Sequence, residues 1–404
     1  MRMLTKLHLF LFFCLFTLPG YSLDIKGVIK DTRGSTLPGA SVYLGGYKKG
    51  AVADNDGQFI IYSLSPGNYD VIIQMIGFEP YSQSISIEDK SVELTIVLKE
   101  NTKLLDEVII KPDPYRMERL KLFQENFLGT SANAKSCKIV NLDDIDFDYD
   151  SERHILTASS RDFLIIENKN LGYRIKYLLR EFLINDERTI ISYYGYPTFQ
   201  DLDKNGVSKK RYVAARQLAY LGSPEHFFRA LYKNTTKTEG YIIKKLFLDV
   251  PNPDKAPDSV IKAKLKEFAG AARYDSPKAR KDSLKFWTRM SEKLNYLDIL
   301  HREEILPDTL VKSAGGELKS ITFDEALYIA YMPEAETRDY KHQEVYRINR
   351  PDDLDDYQIS VMYKQNGPVQ FYRSGILSNP TSIMYKGYWS YEKVGDLVPL
   401  DYVP

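Results

Sequence analysis

The 404-residue sequence predicts a mainly β protein, an N-terminal Greek-key β-sandwich followed by a strand-rich α+β domain. Three observations carry this. Residues 24–100 alternate apolar and polar positions in short runs separated by Asp, Asn, Gly and Pro, the pattern of strands half-buried in a sandwich. Residues 115–404 mix longer alternating stretches with a few capped helices, as an α+β unit does. The chain is 43% apolar and 13% aromatic with two cysteines, so it builds a conventional core rather than a disulfide scaffold.

Residues 1–22 read as an export signal. Arg2 and Lys6 precede the apolar run Leu7–Leu18, and Pro19, Gly20 and Ser22 supply a breaker and small residues where a signal peptidase cuts. About a dozen apolar residues are too few to span a bilayer; an uncleaved anchor is the competing reading. Cys14 sits behind Phe12 and Phe13, not behind the small residues a lipidated cysteine needs. Cleavage leaves Cys137 as the one thiol, with no intramolecular disulfide possible. Lys+Arg and Asp+Glu number 55 each, and without a basic block the chain offers no footprint for nucleic acid or anionic lipid. No later apolar run is long enough for a transmembrane helix.

In the first domain, 24–30, 40–44, 51–53, 58–62, 69–76, 84–87 and 91–98 are the expected strands. Asp54-Asn-Asp-Gly57 opens like a calcium loop, but the Glu needed at its twelfth position is Ser65. A hairpin turn accounts for it better, since Gly takes positive φ freely and Asp caps its own turn.

Several ordered strings carry a resemblance. Ile25-Lys-Gly-Val-Ile-Lys-Asp, Leu37-Pro-Gly-Ala-Ser-Val, Asp54-Asn-Asp-Gly-Gln-Phe, Leu64-Ser-Pro-Gly-Asn-Tyr and Ile76-Gly-Phe resemble the carboxypeptidase-regulatory-like domain, also seen as the N-terminal extension of TonB-dependent receptors in Gram-negative bacteria. Leu104-Leu-Asp-Glu-Val-Ile-Ile is similar to the segment leading into a receptor plug. The resemblance implies a transthyretin (prealbumin)-like sandwich with a carbohydrate-binding-like fold, in a periplasmic or outer-membrane-associated protein, without the zinc ligands of the carboxypeptidase itself. The remaining ~290 residues are too few for a plug and a large barrel, so the resemblance implies the module and not a transporter.

Residues 101–114 are a linker stiffened by Pro112 and Pro114. The spacing then predicts a helix over 115–128 and strands over 153–160, 161–167, 171–184 and 188–196. Asp144, Asp146, Asp148 and Asp150 alternate with Ile145, Phe147 and Tyr149, placing four carboxylates on one face, solvated or around a cation. Helices are expected over 207–221, from Ser223-Pro224 to Tyr232, and from Ser276-Pro277 to Lys293, with a loop at 249–258. Strands return from Asp298, and Asn366-Gly367 signals a hairpin between 357–364 and 369–373. Leu171-Gly-Tyr-Arg-Ile-Lys-Tyr, Tyr194-Gly-Tyr-Pro-Thr-Phe, Gly222-Ser-Pro-Glu-His-Phe-Phe and Gly395-Asp-Leu-Val-Pro-Leu-Asp-Tyr are similar to the C-terminal region of exported proteins carrying the same domain. That implies location and architecture, not a chemistry.

No catalytic motif stands out. His154, His226, His301 and His342 form no i, i+4 zinc pair, and there is no Gly-x-Ser-x-Gly elbow or phosphate loop. No metal or cofactor is expected, and Cys137 reads as an inert thiol. Ser223, Glu225, His226 and Arg229 cluster at one helix start, where His226 and Arg229 are candidates for binding an anion or for packing. Tyr194, Tyr196, Tyr388 and Trp389 either stack on sugar rings or fill a sheet core. The expected function is a non-enzymatic exported envelope protein with a binding or docking role toward an envelope protein or glycan. The alternatives are an envelope glycan or peptide hydrolase sited in the C-terminal domain, with paired carboxylates, and a small membrane barrel, which the capped helices oppose.

Overall fold

The computed structural model describes residues 23–101, 113–160, 162–185, 190–203, 210–270, 277–343, 346, 348–351, 354 and 356–404. The expected signal 1–22 and most of the expected linker lie outside them. Seven strands build the sandwich: β1 (Leu23–Asp31), β2 (Ser41–Leu44), β3 (Gly50–Val52), β4 (Gln58–Leu64), β5 (Gly67–Gln74), β6 (Tyr81–Ile87) and β7 (Val92–Leu98). They form two sheets, β4-β1-β7 and β3-β2-β5-β6. β1 pairs antiparallel with β4 and parallel with β7, from Ile25↔Val92 to Asp31↔Leu98. A tight turn cannot reach a parallel neighbour, so the chain crosses to the other sheet first, as a Greek key requires.

Period two sorts the side chains. In β4, Phe59 and Ile61 are buried while Ile60 and Tyr62 face out. In β5, Val71 and Ile73 enter the sandwich core, and Ile72 on the opposite face is buried too, against Phe163 and Leu178 of the next region. The sandwich is docked, not merely tethered. Asp54–Gly57 is a turn: Asp54 Oδ1 accepts the backbone N–H of Asp56 (3.0 Å) and of Gln58 (2.8 Å). It does not make the expected hairpin, because β3 and β4 belong to different sheets and the turn carries the chain across the sandwich.

Next come α1 (Arg116–Phe127), the one-turn α2 (Ala132–Lys135) and six antiparallel strands, β8 (Cys137–Ile139), β9 (Ile145–Asp150), β10 (Ile155–Ser160), β11 (Leu164–Asn168), β12 (Tyr173–Asn185) and β13 (Ile190–Asp201). The length of β12 organises this sheet. β11 pairs with its first part and β10 with its last along one edge, while β13 runs along the other. α1 lays Phe123 and Phe127 on the sheet, with ring centroids 4.6 Å from Phe182 and 4.9 Å from Tyr177. In the edge strand β9, Asp146 and Asp148 are exposed while Phe147 packs toward Phe123. Asp144 and Asp150 instead hold turns, accepting from Asn141 Nδ2 (2.7 Å) and from the backbone N–H of Glu152 and Arg153 (3.0 Å each).

α3 (Lys210–Tyr220) and α4 (Pro224–Lys233) lead to β14 (Tyr241–Pro251), after which α5 (Asp258–Ala269) and α6 (Pro277–Glu292) intervene. β15 (Tyr296–Glu304), β16 (Val311–Gly315), β17 (Leu318–Ile321), β18 (Ala326–Ala335), β19 (Tyr357–Lys364), β20 (Val369–Phe371) and β21 (Ile383–Gly387) complete the strands. They assemble as β15-β14-β18-β19-β21 and β16-β17-β20. Asn366-Gly367 therefore does not close a hairpin: β19 takes β18 and β21 as neighbours and β20 takes β17. Long-range pairing overrides the local turn signal. α5 was not expected; Ile261, Leu265 and Phe268 at helical spacing after Pro257 are its trace in the sequence.

Residues 115–404, expected as one domain, enclose two main cores, one on the six-stranded sheet and one where α4 packs against β14, β18 and β20. The tail joins them, with Trp389 in the second core and Val394 and Val398 in the first. Among the described residues no helix is long and apolar enough to cross a membrane.

Candidate functional site

α4 begins as its sequence dictates. Ser223 Oγ accepts the His226 N–H (3.2 Å), Pro224 occupies the first turn, and Asn234 in the left-handed region closes the helix. Phe227, Phe228 and Leu231 are buried beneath it. His226 is 4% exposed. Its Nδ1 accepts the Gly222 N–H (3.0 Å) and lies 2.8 Å from the Tyr241 hydroxyl, while Nε2 meets Glu239. An Nδ1 that accepts a backbone N–H leaves the proton on Nε2, which donates to the carboxylate. Burial holds the His226 pKa below its ordinary value against the pull of Glu239. The ring is neutral and engaged on both sides, a staple between the start of α4 and β14. The Gly222 carbonyl accepts from Trp389 Nε1 (2.7 Å), so the backbone of one residue links His226 to Trp389.

Arg229, one turn on, is committed to backbone. Nε donates to Ser374 O (2.8 Å), Nη1 to Tyr402 O (3.0 Å) and Nη2 to Leu400 O (2.6 Å), and the guanidinium lies 5.2 Å from the Tyr220 ring centroid. These bonds pin the tail and residues 372–374 over the sandwich, and they shape a cleft of about 390 Å³. Its walls are Tyr47, Lys49 and Ser63–Tyr69 of the sandwich, Arg229 and Lys233 of α4, Tyr372–Ser374 and the tail Leu400–Val403. Asn68 Nδ2 donates to the Tyr372 hydroxyl (2.5 Å) across the junction. Lys49, Arg229, Lys233 and Arg373 face a single carboxylate, Asp401. Lys49 Nζ donates to Ser63 O (2.5 Å); among the described residues Lys233 and Arg373, both exposed, have no ion-pair partner. A second cavity, about 290 Å³ on the six-stranded sheet, is lined by Asp146, Asp148 and Glu181 against Arg180.

Of the six candidates from the sequence, only Arg229 lines the cleft. Tyr388 and Trp389 are 3% and 5% exposed. Trp389 packs on Phe227 (5.1 Å between centroids) and Tyr388 on Tyr340 (5.1 Å); burial removes both from any binding surface. Tyr194 and Tyr196 stand side by side on β13 with hydroxyls 2.7 Å apart, and Tyr196 packs into the Ile72–Phe163–Leu178 cluster at the sandwich junction. Glu225, half-buried, has its carboxyl pushed up to about 7 by burial, opposed by Arg229. Burial, then the Asp396 charge, pushes the Cys137 thiol up to about 12, which keeps it protonated and inert. Among the described residues no group of three or more His, Cys, Asp or Glu is placed to hold a metal. Burial raises the carboxyl pKa of both Glu334 and Glu392, and in Glu392 the charges of Asp396 and Glu334 add to it; neither lines either cavity. The cleft was beyond local reading because its cations come from three separated segments.

A family model described as a CarboxypepD_reg-like domain matches residues 25–110. Residues 25–110 are a CarboxypepD_reg-like domain. The same part is 33% identical over 89 residues to TonB-dependent receptor SusC of Bacteroides thetaiotaomicron, covering 22% of this chain and 8% of the receptor. It is 32% identical over 87 residues to TonB-dependent receptor P39 of Formosa agariphila, with the same coverage of 22% and 8%. The chain thus spans less than a tenth of the length of these relatives. Among solved structures, a type II cohesin–X-dockerin complex from Acetivibrio cellulolyticus is similar at 24% identity and TM-score 0.19, over 30% of this chain and 83% of that one. Hydroxyquinol 1,2-dioxygenase from Pseudomonas putida is similar at 13% identity and TM-score 0.18, over 21% and 58%. The CarboxypepD_reg-like domain supplies one wall of the cleft; the C-terminal region supplies the rest.

Proposed function

We propose that this is an exported, non-enzymatic protein of the cell envelope that binds a carboxylate-bearing ligand, an acidic glycan or an acidic peptide, in the cleft between its CarboxypepD_reg-like domain and its C-terminal region. One observation carries the reading: four cations and four tyrosines (Tyr47, Tyr69, Tyr372 and Tyr402) converge there against one carboxylate, and neither part of the chain forms the cleft alone. Cations select a carboxylate, and tyrosine faces add apolar contact to a sugar ring or a peptide stem. The likeness of the domain to parts of two TonB-dependent receptors supports an envelope setting, as does the apolar run at residues 7–18. His226 and Cys137, the groups best suited to catalysis by type, are held neutral in structural roles.

The test is titration calorimetry with oligogalacturonate, a hexaglutamate peptide and uncharged maltohexaose. One or both acidic ligands should bind and the neutral one should not, and Lys233→Glu with Arg373→Glu should weaken binding by at least about tenfold. Equal binding of maltohexaose, or no effect of the double charge reversal, would refute the reading. The two acidic arms separate a glycan from a peptide.

A further inference from the structure

The helices inserted between β14 and β15 pack on each other and cover little else. Ile261 is the buried residue of α5, and no described side chain of α6 is buried. β15, the outer strand of its sheet, is exposed along nearly its whole length. Over 255–270 and 277–293 there are ten Lys and Arg against four Asp and Glu, in a chain whose formal net charge is zero.

The charge is patterned. Lys278, Lys281, Lys285 and Arg289 recur at spacings of three and four, which places them on one face of α6, and all four are exposed. Leu284, Trp287 and Met290 lie on the other side and are half-buried. Among the described residues none of the four cations is ion-paired; the pairs in this region are Lys255–Asp258 and Lys264–Glu267. Asp282 and Glu292 share the cationic face and leave it net positive. Exposed apolar side chains border it: Phe286 on α6, Val260 on α5, and Leu294 and Tyr296 at the start of β15.

We propose that this face adsorbs to an anionic lipid surface, with the α6 cations on the phosphates and Phe286 entering the headgroup region. Cations beside exposed aromatic and aliphatic side chains match an interface that is charged outside and apolar within. A soluble polyanion would satisfy the lysines and leave Phe286, Leu294 and Tyr296 in water. Lys and Arg near an anionic surface contribute additively, so attachment by so small a net charge is reversible and salt-sensitive.

The experiment is co-sedimentation of the purified protein with vesicles of phosphatidylcholine alone and of phosphatidylcholine with about a third phosphatidylglycerol. Sedimentation with the anionic vesicles at low salt, and its loss at high salt, is expected. Lys281→Glu with Lys285→Glu should lower the bound fraction at least about tenfold, and Phe286→Ala should lower it at low salt while the charge is intact. Both variants should keep the far-ultraviolet spectrum and the ligand binding of the cleft, which lies on other elements. Binding to neutral vesicles as strong as to anionic ones would overturn the proposal, as would no binding to anionic ones or wild-type binding by the charge-reversed variant. Retention on a polyphosphate column without vesicle binding would also overturn it, assigning the face to a soluble polyanion.

Discussion

The Lys393 amine has 5% of its residue exposed, no hydrogen-bond partner among the described residues, and the Tyr346 ring centroid 5.6 Å away. Burial alone brings its pKa down to about 8 from 10.5. Below pH 8 folded and unfolded chains both carry the proton, and the fold bears the full cost of the buried charge. Between about pH 8 and 10.5 the folded amine is neutral while the unfolded one is still charged, so stability rises with pH across that window. That gap corresponds to at most roughly 3 kcal/mol, reduced by the ring contact. Lys393→Met, similar in shape, should therefore be more stable than wild type by about 1–3 kcal/mol at pH 7 in urea unfolding. The advantage should shrink toward pH 10. A less stable variant at pH 7 would mean the ammonium is favourably held.

The helix start at α4 shows what an element's own sequence discloses. Ser223-Pro224 announced the cap, and the cap formed as read. Gly222 before it was silent, yet its φ is 78° and a Cβ there would stand 2.5 Å from Gln358 Oε1, while its N–H serves His226 and its carbonyl Trp389. Gly222→Ala should cost more than Ser223→Ala: about 1 kcal/mol for the lost cap, and at least about 2 for the strained φ and the clash, measured as urea midpoints at constant slope. Equal costs would show that the loop relaxes. Turn chemistry behaved alike elsewhere, since Asp54–Gly57 and Asn366-Gly367 reverse the chain where expected but join strands of different sheets. Partners arriving from distant segments decide the pairing, and no local spacing encodes them. The same limit hid the cleft cations. Averaging does the rest: a net charge of zero conceals that one face of α6 is basic.

At the scale of the whole molecule the junction makes the CarboxypepD_reg-like domain part of one body with the rest. Ile72 buries itself against Phe163 and Leu178, Lys176 Nζ donates to the Tyr43 hydroxyl (2.8 Å), and Arg180 Nη2 donates to Ser82 Oγ (2.7 Å). The narrowest contact is Gly46, whose N–H donates to Pro197 O (2.6 Å) and whose carbonyl accepts the Leu400 N–H (2.7 Å). Its φ is 83°, and a Cβ there would stand 2.9 Å from Leu400 Cγ and closer still to Cδ1. Gly46→Ala therefore adds two costs, the positive φ and the collision, and only the second depends on Leu400. Leu400→Ala alone trims the tail side chain. In the double variant the collision is gone and the strain remains, so its cost should fall below the sum of the two singles by about 1 kcal/mol or more. Additive costs would mean that the tail already moves away from Gly46. In scanning calorimetry the wild type should unfold in one transition and Gly46→Ala should split it, because the contact disturbed is a main-chain link between the sandwich and the tail pinned by Arg229. If Gly46→Ala lowers the midpoint without splitting it, the Ile72 cluster and the Lys176 and Arg180 bonds suffice to hold the two parts together.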